Sequence, residues 1–115
     1  MSLASFQIAR AAETVTVHVE GQVDMSSADD LSAEVRSALT SGEPPPTQVW
    51  VDLTDVSFFD SAGVNALFAL NNDLAAAECS LGVIAPEESP ARRVLDIVQL
   101  ARLMPLAETS PPHRD

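Results

Sequence analysis

Asp60-Ser61-Ala62-Gly63 places a serine where an apolar run, residues 49–59, gives way to helical spacing. A serine at that junction is presented to solvent, and its hydroxyl can accept a phosphoryl group. Backbone N–H groups in a helix's first turn, with the positive end of its dipole, favour an anion there. A phosphate brings about −1.5 to −2 charges. Beside Asp60 it makes an anionic knob that repels a partner without refolding the domain. On local spacing alone, a plain helix-start serine remains the favoured reading. A serine hydrolase also presents its nucleophile between strand and helix, but Gly-x-Ser-x-Gly is absent. His18 in an early strand and His113 near the C-terminus are poorly placed bases. Asp52, Asp55 and Asp60 fall on a strand and turn without a defined ligand set, so capping or solvated roles are expected and no metal or cofactor. All six basic residues are Arg. Without Lys there is no Walker-type phosphate lysine, no Schiff base and no receiver-type lysine. A chain that is not an enzyme is expected.

The charge balance narrows the partners. Seventeen acidic residues against six basic ones give a formal net charge of −11, with a pI near 4.3. Nucleic acid and anionic lipid both select clustered cations, so proteins are the expected partners. Cys79 is the only cysteine, which excludes an internal disulfide and a multi-cysteine zinc site and fits a reducing compartment. No apolar run reaches the ~18 residues of a membrane span, and the N-terminus lacks the basic start of a signal peptide. A cytoplasmic protein without membrane insertion is expected. With 46% apolar residues over 115 positions, one core burying about 65% of the unfolded surface is feasible. Residues 1–107 are assigned to a single domain and 108–115, polar and proline-containing, to a flexible tail.

The elements that must hold Ser61 follow from periodicity. Phe6 and Ile8, then Val15, Val17 and Val19, alternate with polar neighbours and predict an antiparallel hairpin ended by Gly21. Leu31, Val35, Ala38 and Leu39 predict a helix over 27–40, opened by a capping box of Ser26 with Asp29 or Ser27 with Asp30. Gly42 stops it, and Pro44-Pro45-Pro46 makes a stiff connector. Residues 49–53 read as a central strand whose apolar signal continues through Val56, Phe58 and Phe59. Asp60 then caps a helix reaching about 77, with Val64, Leu67, Phe68, Leu70, Leu74 and Ala75 on its apolar stripe and Asn71 among them. Residues 81–85 form another strand. Ser89-Pro90 opens a third helix with Val94, Ile97, Val98 and Ala101 inward, and residues 103–106 add an edge strand beside Pro105. The order β-β-α-β-α-β-α-(β) gives a small α/β fold: a mixed sheet of four to five strands opening with an antiparallel hairpin, and about three crossover helices.

The segment over 49–67 resembles the signature of STAS domains, named for sulfate transporters and anti-sigma factor antagonists, and especially the bacterial antagonists. The carrying residues are Asp52-Leu53, Phe58-Phe59 and Asp60-Ser61-Ala62-Gly63-Val64. A second match is Gly21-Gln22-Val23-Asp24 followed by Ser27, and a third runs from Ser89 through Arg92, Arg93 and Leu95 to Leu100. The resemblance spans roughly residues 5–107. It implies that Ser61 is the phosphoacceptor of an anti-sigma factor that is itself a serine kinase of histidine-kinase-like ATPase fold. Unphosphorylated protein would bind that kinase and free a sigma factor; phosphorylated protein would let go, and a serine phosphatase would reset the switch. Asp24, Asp60, Ala62 and Gly63 would form the environment of the phosphosite, with Asp24 either orienting the Ser61 hydroxyl or sharpening the charge contrast, or simply starting a turn.

Two positions depart from the pattern. Ala62 replaces a usual second hydroxyl, as in branches that serve lipid-transport ABC complexes as non-phosphorylated adaptors, and Asn65 stands where many members have Gly. The adaptor role is the alternative function. Opposite the apolar stripe of the second helix lie Ala62, Asn65, Ala66, Ala69, Asn72, Asp73 and Ala76. These small residues make a flat face next to Ser61. The partner is expected on Asn65, Ala66, Ala69 and Asn72, with Ser26 and Ser27 at the edge, although alanine there also serves helix propensity alone.

Overall fold

The alternation in the first quarter of the chain folds into β1 (Ala4–Ala11) and β2 (Thr14–Val23), an antiparallel pair whose register sets Phe6 opposite Val19 and Ile8 opposite Val17. The computed structural model describes residues 4–40 and 42–109; the tail expected over 110–115, with His113, lies outside them. Helix α1 (Ala28–Thr40) leads to β3 (Gln48–Phe59), α2 (Ser61–Ala76), β4 (Ser80–Ile84), α3 (Pro90–Ile97), a 3-10 turn (Leu100–Arg102) and β5 (Leu106–Ala107). The five strands lie in chain order, with every pair after the hairpin parallel. Each crossover steps one strand onward in the same direction, and right-handed connections of that kind bring all three helices to one face.

That face carries the core. Val15, Val17 and Val19 of β2, Val49, Val51 and Leu53 of β3, Leu31 and Val35 of α1, and Leu67, Leu70 and Leu74 of α2 belong to one buried cluster. The intervening residues, among them His18, Trp50 and Asp52, look out from the other face and are only half-buried.

Six expectations need correction. Ala75 is exposed and not on the buried stripe of α2, and the last edge strand is Leu106–Ala107, after Pro105, and not 103–106. Gly21 does not end β2: its φ of 104° carries the strand through an irregularity in pairing with β3, and β2 runs on to Val23. Neither serine pair is used as the expected capping box, because the Ser26 and Ser27 hydroxyls donate to Asp24 Oδ1 and to the Gln22 carbonyl. The inner face of α3 is Ala91 and Leu95, with Val94 packed against the core as expected; Ile97 is 80% exposed, and Val98 and Ala101 are also exposed. The helix stops at Ile97 because Gln99 takes a left-handed conformation (φ 57°) and turns the chain into the 3-10 segment, where Leu100 re-enters the core. Helical phase read past that point is lost. Asn71 is half-buried and lines a surface depression with Cys79 and Met104, so it does not point into the core.

Candidate functional site

The ends of β2 and β3 build the site. Val23 pairs with Phe59, and the Asp60 amide donates to the Val23 carbonyl at 3.3 Å, so Asp24 and Asp60 leave the sheet side by side. Asp60 then caps α2 in extended conformation: its Oδ1 accepts from the Ala62 amide at 2.9 Å, while its carbonyl accepts from Gly63 and Val64. Ser61, the first helical residue, is exposed. Among the described residues no side chain or carbonyl engages its hydroxyl.

Gly63 has a packing reason. A Cβ there would sit 2.6 Å from the Phe59 ring and 3.0 Å from Val23 Cγ1, so only glycine lets the first turn of α2 lie against the strand ends. The turn on the other side is equally determined. Asp24 Oδ1 accepts from the Ser26 amide at 2.8 Å and its hydroxyl at 2.6 Å, and these bonds, the side-chain one foremost, hold the Asp24 carboxyl below its ordinary value. The Asp24 carbonyl accepts from Ser27 and Ala28 and thereby starts α1. Ser27 is fully buried, with its hydroxyl accepting from the Asp24 amide and donating to Gln22.

The residues expected at the site are therefore brought together, with different parts to play. Asp24 Oδ1 is engaged by Ser26, which fixes this carboxylate in a turn that shares a surface depression with Met25 and Asp60. Ser27 is internal and offers nothing to a partner, whereas Ser26 is exposed. The alanine face of α2 is not flat, since α1 packs along it. Ala62, Asn65, Ala66 and Ala69 line a groove of about 600 Å³ with Met25, Ala28, Asp29, Ser32, Ala33 and Arg36. Ala66 is buried in it. Asn72 is exposed, and Asp73 is tied across to Arg36 at 2.6 Å.

Two exposed apolar side chains escape the pattern reading: Met25, 86% exposed between Asp24 and Ser26, and Phe58 at the end of β3. Their signal was a large apolar residue inside a turn and one of two adjacent aromatics, which must face opposite ways on a strand. Arg92 is occupied internally, donating to the Ala85 carbonyl and pairing with Asp96.

His18 is not brought into contact with Ser61. Its Nδ1 lies 3.2 Å from Asp52 Oδ2 and its Nε2 lies 2.8 Å from Asp55 Oδ2. Burial alone lowers its pKa, but the hydrogen bond and charge of Asp52, then those of Asp55, outweigh burial and leave it raised. Among the described residues no hydrolase triad is assembled around Ser61.

The family model described as "Mlab, STAS domain" matches residues 6–107. Among solved structures, the chain is similar to an anti-sigma factor antagonist from Mycobacterium paratuberculosis, with 27% identity, a TM-score of 0.79 and coverage of 92% of this chain and 86% of that one. It is also similar to the anti-sigma factor antagonist SpoIIAA in its unphosphorylated form, with 26% identity, a TM-score of 0.68 and coverage of 90% and 88%. The Bacillus cell fate determinant SpoIIAA in its phosphorylated form gives 26% identity, a TM-score of 0.61 and coverage of 90% and 91%.

Proposed function

The chain belongs to the STAS domain family, and from that premise we propose that it is an anti-sigma factor antagonist switched by phosphorylation of Ser61. The observation that carries the reading is the exposed, unengaged Ser61 hydroxyl at the first position of α2, directly after the capping carboxylate of Asp60, where the turn holding Asp24 leaves the sheet beside Asp60. In this reading the unphosphorylated protein binds an anti-sigma factor that is also its serine kinase, and a sigma factor is freed for transcription. The partner lies over Ser61, Met25 and the α1–α2 groove. Phosphoryl transfer from ATP forms an ester at the Ser61 oxygen and releases ADP, with the hydroxyl proton passing to the kinase. The chain is the substrate and supplies no catalytic group.

The electrostatics support release. The helix N-terminus tolerates the phosphate locally, but the Asp60 carboxylate adjoins it and that of Asp24 lies near Asp60, and a partner that accepts the neutral serine meets a concentrated negative charge instead. Like charges placed across an interface cost several kcal/mol. A serine phosphatase resets the system. Among the described residues no helix is long and apolar enough to cross a membrane. The solved relatives at 26–27% identity are antagonists, which weighs against the lipid-transport adaptor.

The test is to recover partners from the native host with Ser61→Ala and Ser61→Asp forms and measure the affinity of each. A small ATPase retained by Ser61→Ala and bound about tenfold or more weaker by Ser61→Asp is expected. Equal affinity of the two forms, or recovery of transporter subunits by both, overturns the reading.

A further inference from the structure

We propose that His18, Glu20 and Asp55 form a binding site for one divalent transition-metal ion of the zinc class on the open face of the sheet. The site depends on a flaw in strand pairing. His18 pairs with Asp52 and Glu20 with Asp55, so two steps along β2 match three along β3. On a regular strand, residues three apart point to opposite faces. The extra residue turns Asp55 to the side that Asp52 already faces, and His18 is held between the two carboxylates.

The hydrogen bonds fix which imidazole nitrogen is available. Asp52 Oδ1 accepts from the Thr54 amide at 3.0 Å and the Thr54 hydroxyl at 2.6 Å, which orients the carboxylate; its Oδ2 then faces His18 Nδ1. A carboxylate only accepts, so Nδ1 carries the hydrogen. Nε2 is left facing Asp55 Oδ2 at 2.8 Å. A neutral imidazole would set one lone pair against another there, so the gap calls for a cation, either a proton or a metal ion.

The third group favours the metal. Glu20 brings a carboxylate oxygen to the same place, and one ligand atom from each of His18, Glu20 and Asp55 lies within 4.8 Å of the others. Ligands at about 2.0–2.1 Å around a tetrahedral ion sit about 3.3 Å apart, so the His18–Asp55 contact opens by only about 0.5 Å on binding. A carboxylate hydrogen-bonded to the far nitrogen is the usual support of a metal-bound histidine, and Asp52 supplies it. One imidazole and two carboxylates select a borderline ion over calcium or magnesium, which prefer all-oxygen shells. Glu20 and Asp55 are exposed, which leaves room for water at the fourth position. The chain's net charge of −11 favours any cation. A bound ion would clamp β2 to β3 along the strands that end at Asp24 and Asp60.

Titration of zinc chloride into the chelator-treated full chain near neutral pH tests this by calorimetry, with the His18 ring nitrogens followed by NMR. Binding of one ion per chain, a zinc-dependent shift of Nε2 and a raised Tm are expected. His18→Gln and Asp55→Asn should abolish binding, and Asp52→Asn should weaken it about tenfold or more. His113→Gln should bind like the parent. Glu20 is exposed, so Glu20→Gln keeps the test decisive if a strand variant fails to fold, and it too should weaken binding about tenfold or more. No binding by the parent chain, undiminished binding by His18→Gln or Glu20→Gln, loss of binding in His113→Gln, or displacement of zinc by equal calcium overturns the proposal.

Discussion

The two polar centres of this small sheet are built in opposite ways. Around Ser61, the side-chain hydrogen bonds are short in sequence, Asp60 to Ala62, Asp24 to Ser26 and Ser27 to Gln22, and only the pairing of Val23 with Phe59 and Asp60 brings the two turns together from afar. Around His18 they cross thirty-four residues to Asp52 and thirty-seven to Asp55, and they exist only because β2 and β3 pair in one irregular register. The first centre sits where strands end and helices begin, which leaves a side chain exposed for a partner. The second lies within the strands, and its groups largely satisfy one another. A site made of caps and turns can be recognised from a short motif; a site made of register cannot.

Substitutions at the strand ends give the largest expected effects. Gly63→Val puts a branched side chain into the Phe59 ring and should destabilise the fold by about 1–3 kcal/mol, read by urea denaturation. A smaller loss would mean that the first turn of α2 can lift off the strands. Ser27→Ala removes a buried hydroxyl that serves both the Asp24 amide and the Gln22 carbonyl, and a loss of about 1–3 kcal/mol is expected. If it proves neutral, the turn between β2 and α1 is held by its backbone bonds alone.

At the other centre the expected effect is a change with pH. In the presence of chelator, the raised pKa of His18 means that its pairing with Asp52 and Asp55 stabilises the fold fully below its unfolded value of about 6.5. That contribution is lost as pH rises through the higher folded value. Denaturation midpoints of the parent should therefore fall across this window more than those of His18→Gln. Parallel curves would show that the histidine is not held as a cation between its neighbours. The smallest effect is local: Ser26→Ala removes the hydroxyl that chiefly lowers the Asp24 pKa, so the NMR titration of Asp24 should move upward toward its ordinary value while the fold is retained.

Much of the architecture was legible because burial writes a period into the chain. The alternating valines of β2 and the Leu67, Leu70 and Leu74 stripe of α2 each follow from one face meeting the core. Ser89 and Pro90 marked the start of α3 through side-chain capping and a missing amide, both properties of single residues. The end of α3 had no such mark. Gln99 adopts a left-handed backbone without being glycine, and the tertiary packing of Leu100 gives a reason for it. Val98 and Ala101 were misassigned for that reason; Val94 does pack against the core, and Ile97 lies on the outer side of the helix itself. The face of α2 opposite its apolar stripe was read correctly as small, but the wheel of one helix does not contain its neighbour, and α1 makes that face a groove.

By itself the sequence determined the element order, the presentation of Ser61 and the likeness to STAS domains. The first two rest on local conformation and periodicity, which a stretch of a few residues already encodes, and the third on the resemblance carried by Asp52-Leu53, Phe58-Phe59 and Asp60 to Val64. Only the tertiary structure decided that Ser27 is internal, that α1 turns the small face of α2 into a groove, and that His18 lies between Asp52 and Asp55. Those outcomes depend on which groups are excluded from water together and on one extra residue in a strand pairing. Both are properties of chain segments brought into contact, which no single segment carries.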